Sequence, residues 1–227
     1  MTTERAVRIL EPVGGAVMRG DLVVPDDAAG VVLFAHGSGS SRHSPRNQMV
    51  AATLRERGLA TLLMDLFTIN EEAIDARTRH LRFDIDLLAA RLTAATDWLA
   101  EHPETRVLRV GFFGASTGAA AALVAAACRP AAVAAVVSRG GRPDLAGPLL
   151  TAVRAPTLLI VGGRDEVVLD LNRVAYEQLQ VERRLEVVPG ATHLFEEPGA
   201  IEQVSRLAGD WFSSHLVAYA HPDLGRC

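Results

Sequence analysis

The stretch from Val107 to Cys128, VLRVGFFGASTGAAAALVAAAC, decides the fold of this chain. Its apolar first part, ending at Phe113, predicts a buried strand, and the Ala-rich part from Ala119 onward predicts a helix. The residues between them, Gly114–Gly118, match G-x-S-x-G, a tight strand-to-helix turn that exposes a serine and requires small neighbours. We therefore predict Ser116 as a nucleophile at a helix N-terminus. The alternative is an N-cap serine between two glycines that only allow close packing.

Strands and helices alternate on both sides of this turn. The predicted strands are Ala6–Leu10, Ala16–Val24, Val31–Ala35, Leu59–Met64, Arg106–Phe113, Ala132–Val137, Pro156–Val161 and Arg184–Val188. The predicted helices are Pro45 or Arg46 to Arg57, Phe83–Ala100, Ala119–Cys128, Asp144–Val153, Leu169–Gln180 and Ala200–His215. Several strands are apolar throughout, which is typical of a mainly parallel sheet covered by helices on both faces. In such sheets the functional residues lie just beyond the carboxyl ends of the strands.

An acid and a histidine follow two later strands at such positions. A serine hydroxyl is a weak nucleophile and needs a neighbouring base that is oriented by a third group. Asp165 follows one strand through a glycine turn, and His193 follows the next through a Pro-Gly turn. The order Ser, Asp, His matches a known order of such triads, so Ser116, Asp165 and His193 are predicted as the catalytic triad. Glu166 is the alternative acid, and a surface-loop role is the alternative for His193.

A glycine-rich loop, His36–Gly39, follows an early apolar strand and is predicted to help form an oxyanion hole. We expect its two donors to be the backbone N–H groups of Ser38 and Thr117, with Gly39 as the alternative to Ser38. His36 either shapes this loop through side-chain hydrogen bonds or contacts the substrate directly. The loop lacks the Gly-Lys-Ser/Thr ending of a phosphate-binding loop.

Together these residues resemble the α/β-hydrolases and, among them, the dienelactone-hydrolase-like branch of small enzymes without a lid. The resemblance extends from about Val31 to Leu216. Its strongest segments are His36–Gly39, Gly114–Gly118, Gly163–Asp165 and Gly190–His193. It implies an eight-stranded sheet and hydrolysis of esters, lactones or related acyl bonds without a cofactor. Dienelactone hydrolases proper use cysteine as the nucleophile, so the serine at position 116 favours a general carboxylesterase.

The spacing of the later strands predicts a small substrate pocket. Only residues 138–155 separate the strand Ala132–Val137 from Pro156, which leaves no room for a large lid. The stretch Leu66–Arg82 could add a small flap, with Phe67 as a tentative substrate contact. Short acyl groups are therefore expected.

Two arginines, Arg139 and Arg142, follow a strand on the predicted catalytic side of the sheet. A guanidinium there could bind a substrate carboxylate. The alternative is that these arginines are solvated or pair with Asp144 and Glu197. The same two interpretations apply to Arg42, His43 and Arg46.

Composition limits the remaining possibilities. The chain has 227 residues, is 49% hydrophobic and carries a net charge of −4, which predicts one domain over residues 1–227 with about 218–227 as a C-terminal tail. The mild charge gives no reason to expect nucleic acid or membrane as a partner. Two cysteines and the absence of a secretory pattern predict a cytoplasmic protein. Its oligomeric state, monomer or homodimer, stays open, and no metal is expected.

The function predicted from the sequence is cleavage of small carboxylic esters or lactones through an acyl-enzyme intermediate on Ser116. The alternatives are an acyltransferase or thioesterase with the same triad, and a ligand-binding member of the fold without catalysis.

Overall fold

The computed structural model describes residues 2–216, so the predicted tail at 218–227 lies outside the described residues. It contains one eight-stranded sheet with the order β1-β2-β4-β3-β5-β6-β7-β8. The strands are β1 (Thr3–Leu10), β2 (Val17–Val24), β3 (Val31–Ala35), β4 (Ala60–Met64), β5 (Val110–Ala115), β6 (Val133–Arg139), β7 (Thr157–Gly162) and β8 (Arg183–Val188). The β1–β2 and β2–β4 pairs are antiparallel, and all other neighbours are parallel. The predicted eight-stranded, mostly parallel sheet is confirmed.

Helices cover both faces of this sheet. They are α1 (Pro45–Glu56), α2 (Ile69–Thr78), α3 (Ile85–Glu101), α4 (Thr117–Cys128), α5 (Glu166–Gln178) and α6 (Ala200–Leu216), with 3₁₀ segments at Leu81–Phe83 and Pro143–Ala152. Helix α1 packs against α6, and α3 packs against α4. Within residues 2–216, none of these helices is both long and apolar enough to cross a membrane.

All five residues of the central strand β3 are apolar because both of its faces are buried. Val31, Leu33 and Ala35 belong to one core cluster, together with side chains of α3 and α4. Val32 and Phe34 point the other way, into a second cluster with side chains of α1 and α6. Successive residues of a strand face opposite sides of the sheet, so a strand between two helical layers has no solvent-facing position for a polar residue.

Helix α2 is the main element that the sequence interpretation lacked, since no helix was predicted within the stretch Leu66–Arg82 that could add a small flap. Its sequence, INEEAIDART, has only two large apolar residues and no continuous apolar stripe. A capping box starts it: the Thr68 side chain accepts from the Glu71 N–H, and the Glu71 carboxylate accepts from the Thr68 N–H. Glu71 also accepts two hydrogen bonds from the buried Arg91, at 2.6 and 2.8 Å. Burial alone would raise the pKa of Glu71, but the hydrogen bonds from Arg91 and Thr68 outweigh it and lower this pKa to about 2.

Several predicted boundaries were wrong, among them the starts of β5 and α5. Strand β5 begins at Val110 rather than Arg106, and Val107 is exposed in the preceding turn. Helix α5 begins at Glu166 rather than Leu169, with Asp165 in the N-cap position. Asp170 lies within the second turn of this helix, and its carboxylate accepts a hydrogen bond from Arg173 at 2.8 Å.

Candidate active site

Ser116 occupies a strained turn between β5 and α4. Its backbone has φ 51° and ψ −123°, a region that residues with a side chain rarely adopt. The flanking glycines are sterically required. A Cβ on Gly114 would lie 2.4 Å from the Cα of Ala119, and a Cβ on Gly118 would lie 2.4 Å from the carbonyl oxygen of Ala35. The G-x-S-x-G pattern thus has a packing reason at both glycines.

Asp165 and His193 are in hydrogen-bond contact with each other. Asp165 follows β7, and His193 lies in the loop after β8, with Asp165 Oδ2 2.6 Å from His193 Nδ1. Asp165 makes no side-chain capping bond to α5, although it holds the N-cap position. An N–H at Nδ1 that donates to this carboxylate leaves Nε2 as the basic nitrogen of a neutral ring. The alternative acid, Glu166, is exposed in the first turn of α5.

A cavity of about 200 Å³ brings several of the candidate residues together. It is lined by Gly37, Ser38, Ser40, Arg46, Ala115, Ser116, Arg139, His193 and Leu194. The structure therefore places the serine, the histidine, one predicted oxyanion-hole residue and one predicted arginine around the same small space. Asp165 is not among the lining residues and contacts His193 on the other ring nitrogen. Ser40 and Leu194 line the cavity without any sequence signal that marked them.

The predicted oxyanion-hole residues lie side by side. The Ser38 and Thr117 hydroxyl groups are 3.1 Å apart, which joins the loop after β3 to the first residue of α4. Gly37 lies close to the Ser116 turn, since a Cβ there would lie 3.0 Å from the Cβ of Ser116 and 3.1 Å from the carbonyl oxygen of Ala115. Within residues 2–216, no backbone or side-chain acceptor uses the N–H groups of Ser38 or Thr117. Ser38 lines the cavity, whereas Thr117 is buried and is not among the lining residues. The Thr117 N–H lies in the first turn of α4, at the positive end of the helix dipole. Gly39 does not line the cavity.

His36 is buried beneath this loop and does not line the cavity. Its Nε2 accepts a hydrogen bond of 2.9 Å from the Leu66 N–H, so Nδ1 carries the proton and donates to the Gly37 carbonyl at 3.0 Å. This geometry fits the loop-shaping role of the two that the sequence left open. Burial lowers the pKa of His36 below 6.5, against the hydrogen bond to Gly37 and the charges of Asp65 and Glu72.

We expect this buried neutral His36 to make folding sensitive to mild acid. Below pH 6.5 the unfolded chain binds a proton at His36 that the folded chain does not bind, so the free energy of unfolding falls as pH falls. In His36→Gln the side-chain oxygen can still accept from Leu66, but this titration is absent. The wild type's advantage over the variant should therefore shrink between pH 7.5 and 5.5. Urea unfolding at the two pH values measures the change, and a constant advantage would mean that His36 does not behave as a buried neutral group.

The remaining sequence candidates lie away from the cavity. Phe67 lines a separate cavity of about 260 Å³ that also contains Arg42 and His43. Arg142 forms two hydrogen bonds to Asp144, at 2.8 and 2.7 Å, and does not line the cavity of Ser116. Glu197, considered above as a partner for the arginines, instead accepts from the Thr192 N–H in the loop that carries His193. Within residues 2–216, no group of three or more His, Cys, Asp or Glu side chains is arranged to hold a metal ion.

The chain is similar to known proteins over most of its length. The sequence model of the dienelactone hydrolase family matches residues 18–216. A crystal structure of a dienelactone hydrolase from Anabaena variabilis is 61% identical with a TM-score of 0.91, and the match covers 95% of this chain and 99% of that one. Est1E from Butyrivibrio proteoclasticus has a TM-score of 0.75 over 92% of this chain and 98% of its own, and at 16% identity it supports the fold alone.

Two longer proteins of Mycobacterium tuberculosis, each named "Putative phosphoribosyl transferase", are 61% identical to this chain over 203 residues. The match covers 89% of this chain but 45% of theirs, so the chain spans about half the length of these curated relatives. The two solved structures share the fold of this chain.

Proposed function

The chain belongs to the dienelactone hydrolase family, and on that basis we propose that it cleaves small carboxylic esters or lactones through an acyl-enzyme intermediate on Ser116. The family and the fold are those of hydrolases. One observation supports an acyl-enzyme intermediate on Ser116 most strongly. His193 bonds to Asp165 at 2.6 Å through Nδ1, and it lines the same cavity as the strained Ser116.

The proposed reaction has two steps. The Ser116 Oγ attacks the acyl carbon while its proton passes to Nε2 of His193, and the carbonyl oxygen becomes an oxyanion. The N–H groups of Ser38 and Thr117 would stabilise that oxyanion, and the leaving alcohol takes the proton from His193. Water then attacks the acyl-enzyme with His193 again as base, which releases the acid and restores the serine. Asp165 holds the imidazole in the required tautomer throughout.

A cavity of about 200 Å³ supports a small substrate, because sites for drug-sized ligands occupy about 300–1,000 Å³. Between β6 and β7 lies the 3₁₀ segment Pro143–Ala152 in place of a lid domain. A long acyl chain would therefore leave the cavity after a few carbons and gain little from the ~0.8 kcal/mol that each buried CH₂ contributes. We expect kcat/KM for p-nitrophenyl esters to be highest at acetate or butyrate and lower at octanoate. Highest activity on palmitate would contradict this pocket size.

A substrate panel on the purified protein tests the proposed reaction. It should contain esters, lactones and thioesters of matched acyl length, each assayed with and without an added alcohol or amine acceptor. Hydrolysis of esters or lactones that exceeds thioester cleavage supports the proposal. Acyl transfer to the acceptor at the expense of hydrolysis would indicate an acyltransferase. Thioester cleavage that exceeds ester and lactone hydrolysis, and that is lost in Ser116→Ala, would indicate a thioesterase. Binding without turnover of any member would favour the non-catalytic alternative.

The name of the Mycobacterium tuberculosis relatives describes proteins more than twice as long as the matched part. Several properties stay predictions. The chain is expected to act on a small-molecule substrate without a cofactor and to bind neither nucleic acid nor membrane. It is also expected to be cytoplasmic and either monomeric or homodimeric. The single-domain assignment for residues 1–227 stays a prediction too.

A further inference from the structure

The segment at the end of β6, residues 139–142, bonds to the backbone of the proposed nucleophile; we call it the β6 loop. The Ser116 N–H donates to the Arg139 carbonyl at 3.3 Å, and the Ser116 carbonyl accepts from the Arg142 N–H at 3.1 Å. Both backbone polar groups of the strained serine are therefore bonded to this one loop. A shift of the β6 loop is expected to move Ser116 with it.

The β6 loop also lies against the proposed base. Gly140 has φ 50°, and a Cβ at this position would lie 3.2 Å from the His193 carbonyl oxygen and 3.6 Å from His193 Cε1. The same Cβ would lie 3.4 Å from the ring of Phe195, whose φ of 56° is strained for an aromatic residue. The loop is thus close to both the imidazole and the segment that carries it.

Asn172 connects the β6 loop to helix α5, which has Asp165 at its N-cap. Its side chain is completely buried, and Nδ2 donates to the Gly141 carbonyl at 2.9 Å and to the Val168 carbonyl at 2.8 Å. Because both partners are carbonyl oxygens, the amide nitrogen must face them, which fixes the orientation of the side chain. In the described part of the chain, no other donor bonds to the Gly141 carbonyl.

Gly141 is tightly packed, so it can transmit a displacement. A Cβ at Gly141 would collide with Ser138 Oγ and lie 2.7 Å from the Cβ of Ala119, the third residue of α4. The Ala119 N–H donates to the Ser116 carbonyl at 3.1 Å. A movement at Gly141 therefore reaches Ser116 by two routes, through Arg142 in the loop and through the first turn of α4.

The Asn172 amide carries a cost that an apolar side chain would avoid. Its Oδ1 is buried and has no hydrogen-bond partner among residues 2–216, and an unsatisfied buried acceptor lowers stability. Val168 lies four residues earlier in the same helix, so its carbonyl already has a backbone donor. The bond to Gly141 is therefore what the amide contributes and a leucine of similar size could not.

We propose that Asn172 is a positioning residue for the reaction on Ser116. Through the Gly141 carbonyl it fixes the β6 loop, which holds the serine, relative to α5, which carries the acid. The inference rests on the proposed function and adds to it a residue that does not touch the substrate. A nucleophile must lie within hydrogen-bond reach of its base, and a misplacement of about 1 Å can lower a rate by about 10²-fold.

Two substitutions of Asn172 remove the bond to Gly141 in different ways. Asn172→Leu keeps a similar volume but has no donor. Asn172→Ser has a hydroxyl that can donate to Val168, as the Ser205 hydroxyl does to the carbonyl four residues earlier, but it is too short to reach Gly141. In both variants the single-turnover rate of acylation by p-nitrophenyl acetate should fall at least about 10-fold, with the half-saturating ester concentration within about 2-fold of the wild type. Labelling of Ser116 by a fluorophosphonate should slow by a similar factor.

Thr105→Val is the matched control for the loss of a buried hydrogen bond. Thr105 is completely buried before the amino end of β5, at the opposite end of that strand from Ser116, and its hydroxyl donates to the Leu99 carbonyl at 2.7 Å. Valine has nearly the same shape, so this variant should lose stability but keep the acylation rate within about 2-fold. All rates are measured at a temperature at which thermal unfolding shows each variant to be folded.

The outcomes separate this inference from the proposed reaction. Equal acylation rates in the wild type and in both folded Asn172 variants would overturn the inference and leave the hydrolase function intact. A loss that Thr105→Val reproduces would also overturn it, since the cause would then be stability rather than position. A wild type that neither hydrolyses esters nor is labelled at Ser116 would overturn the proposed function and the inference with it. If Asn172→Leu does not fold, Asn172→Ser decides the question.

Discussion

Ser116→Ala is expected to lower kcat on every ester or lactone that the wild type turns over by about 10³-fold or more. The variant keeps His193, Asp165 and the proposed oxyanion donors but has no oxygen that can form an acyl-enzyme. Alanine fits the space of serine at this turn and meets the same backbone strain at φ 51°, so the fold should be retained. Steady-state kinetics with thermal unfolding as a fold check measure both effects.

Ser214→Ala is the matched control for that substitution. Ser214 is exposed on α6, and among residues 2–216 its hydroxyl donates only to the Asp210 carbonyl one turn earlier. The control should keep activity within about 2-fold of the wild type, since surface substitutions away from the core and the active site usually change the stability of a protein little. Retention of most activity in Ser116→Ala on all active substrates would move the nucleophile elsewhere.

Asp165→Asn is expected to lower kcat by about 10³- to 10⁴-fold. Asp165 accepts the Nδ1–H of His193 at 2.6 Å, which leaves Nε2 free to take the serine proton. An asparagine amide at this position can donate to Nδ1 instead, and the ring would then carry its proton on Nε2. The rate of the acylation step, measured under single-turnover conditions, reports this loss.

Glu166→Gln controls for charge removal at the adjacent residue. Glu166 is exposed in the first turn of α5, and His193 bonds to Asp165 instead. We expect less than about 3-fold loss of kcat in this variant, because removing one exposed charge there affects a screened interaction. The opposite ranking of the two variants would assign the acid role to Glu166.

The sheet could be predicted from the sequence because its central strands have no solvent-facing side. Each apolar run, such as Val31–Ala35, is buried from both faces and therefore has an unambiguous pattern. Helix α2 could not be predicted in this way, since it owes its position to a capping box at Thr68 and to the ion pair between Glu71 and Arg91. Arg91 lies on α3, twenty residues later, and periodicity within a short window does not detect such a partner.

Some features of the proposed site could likewise be predicted from the sequence, and others could not. Ser116, Asp165 and His193 each follow a strand, and parallel strands carry such residues to one edge of the sheet, so topology alone predicted their proximity. Which of the two arginines, Arg139 or Arg142, pairs with a carboxylate could not be predicted from the sequence. Arg139 and Arg142 are three residues apart in one motif, yet only Arg142 lies within reach of Asp144. The left-handed backbone of Phe195 had no sequence signal either, because such positions usually hold glycine or asparagine.

The central claim is that Ser116 becomes covalently acylated with His193 as its base. Intact-protein mass spectrometry after treatment with a fluorophosphonate tests it most directly, because the reagent forms a stable adduct with an activated serine. The account predicts one adduct per chain, located on Ser116 by peptide mapping, absent in Ser116→Ala and formed far more slowly in His193→Ala. An adduct on another residue that persists in folded Ser116→Ala, or no adduct on a folded wild type that hydrolyses esters, would contradict it.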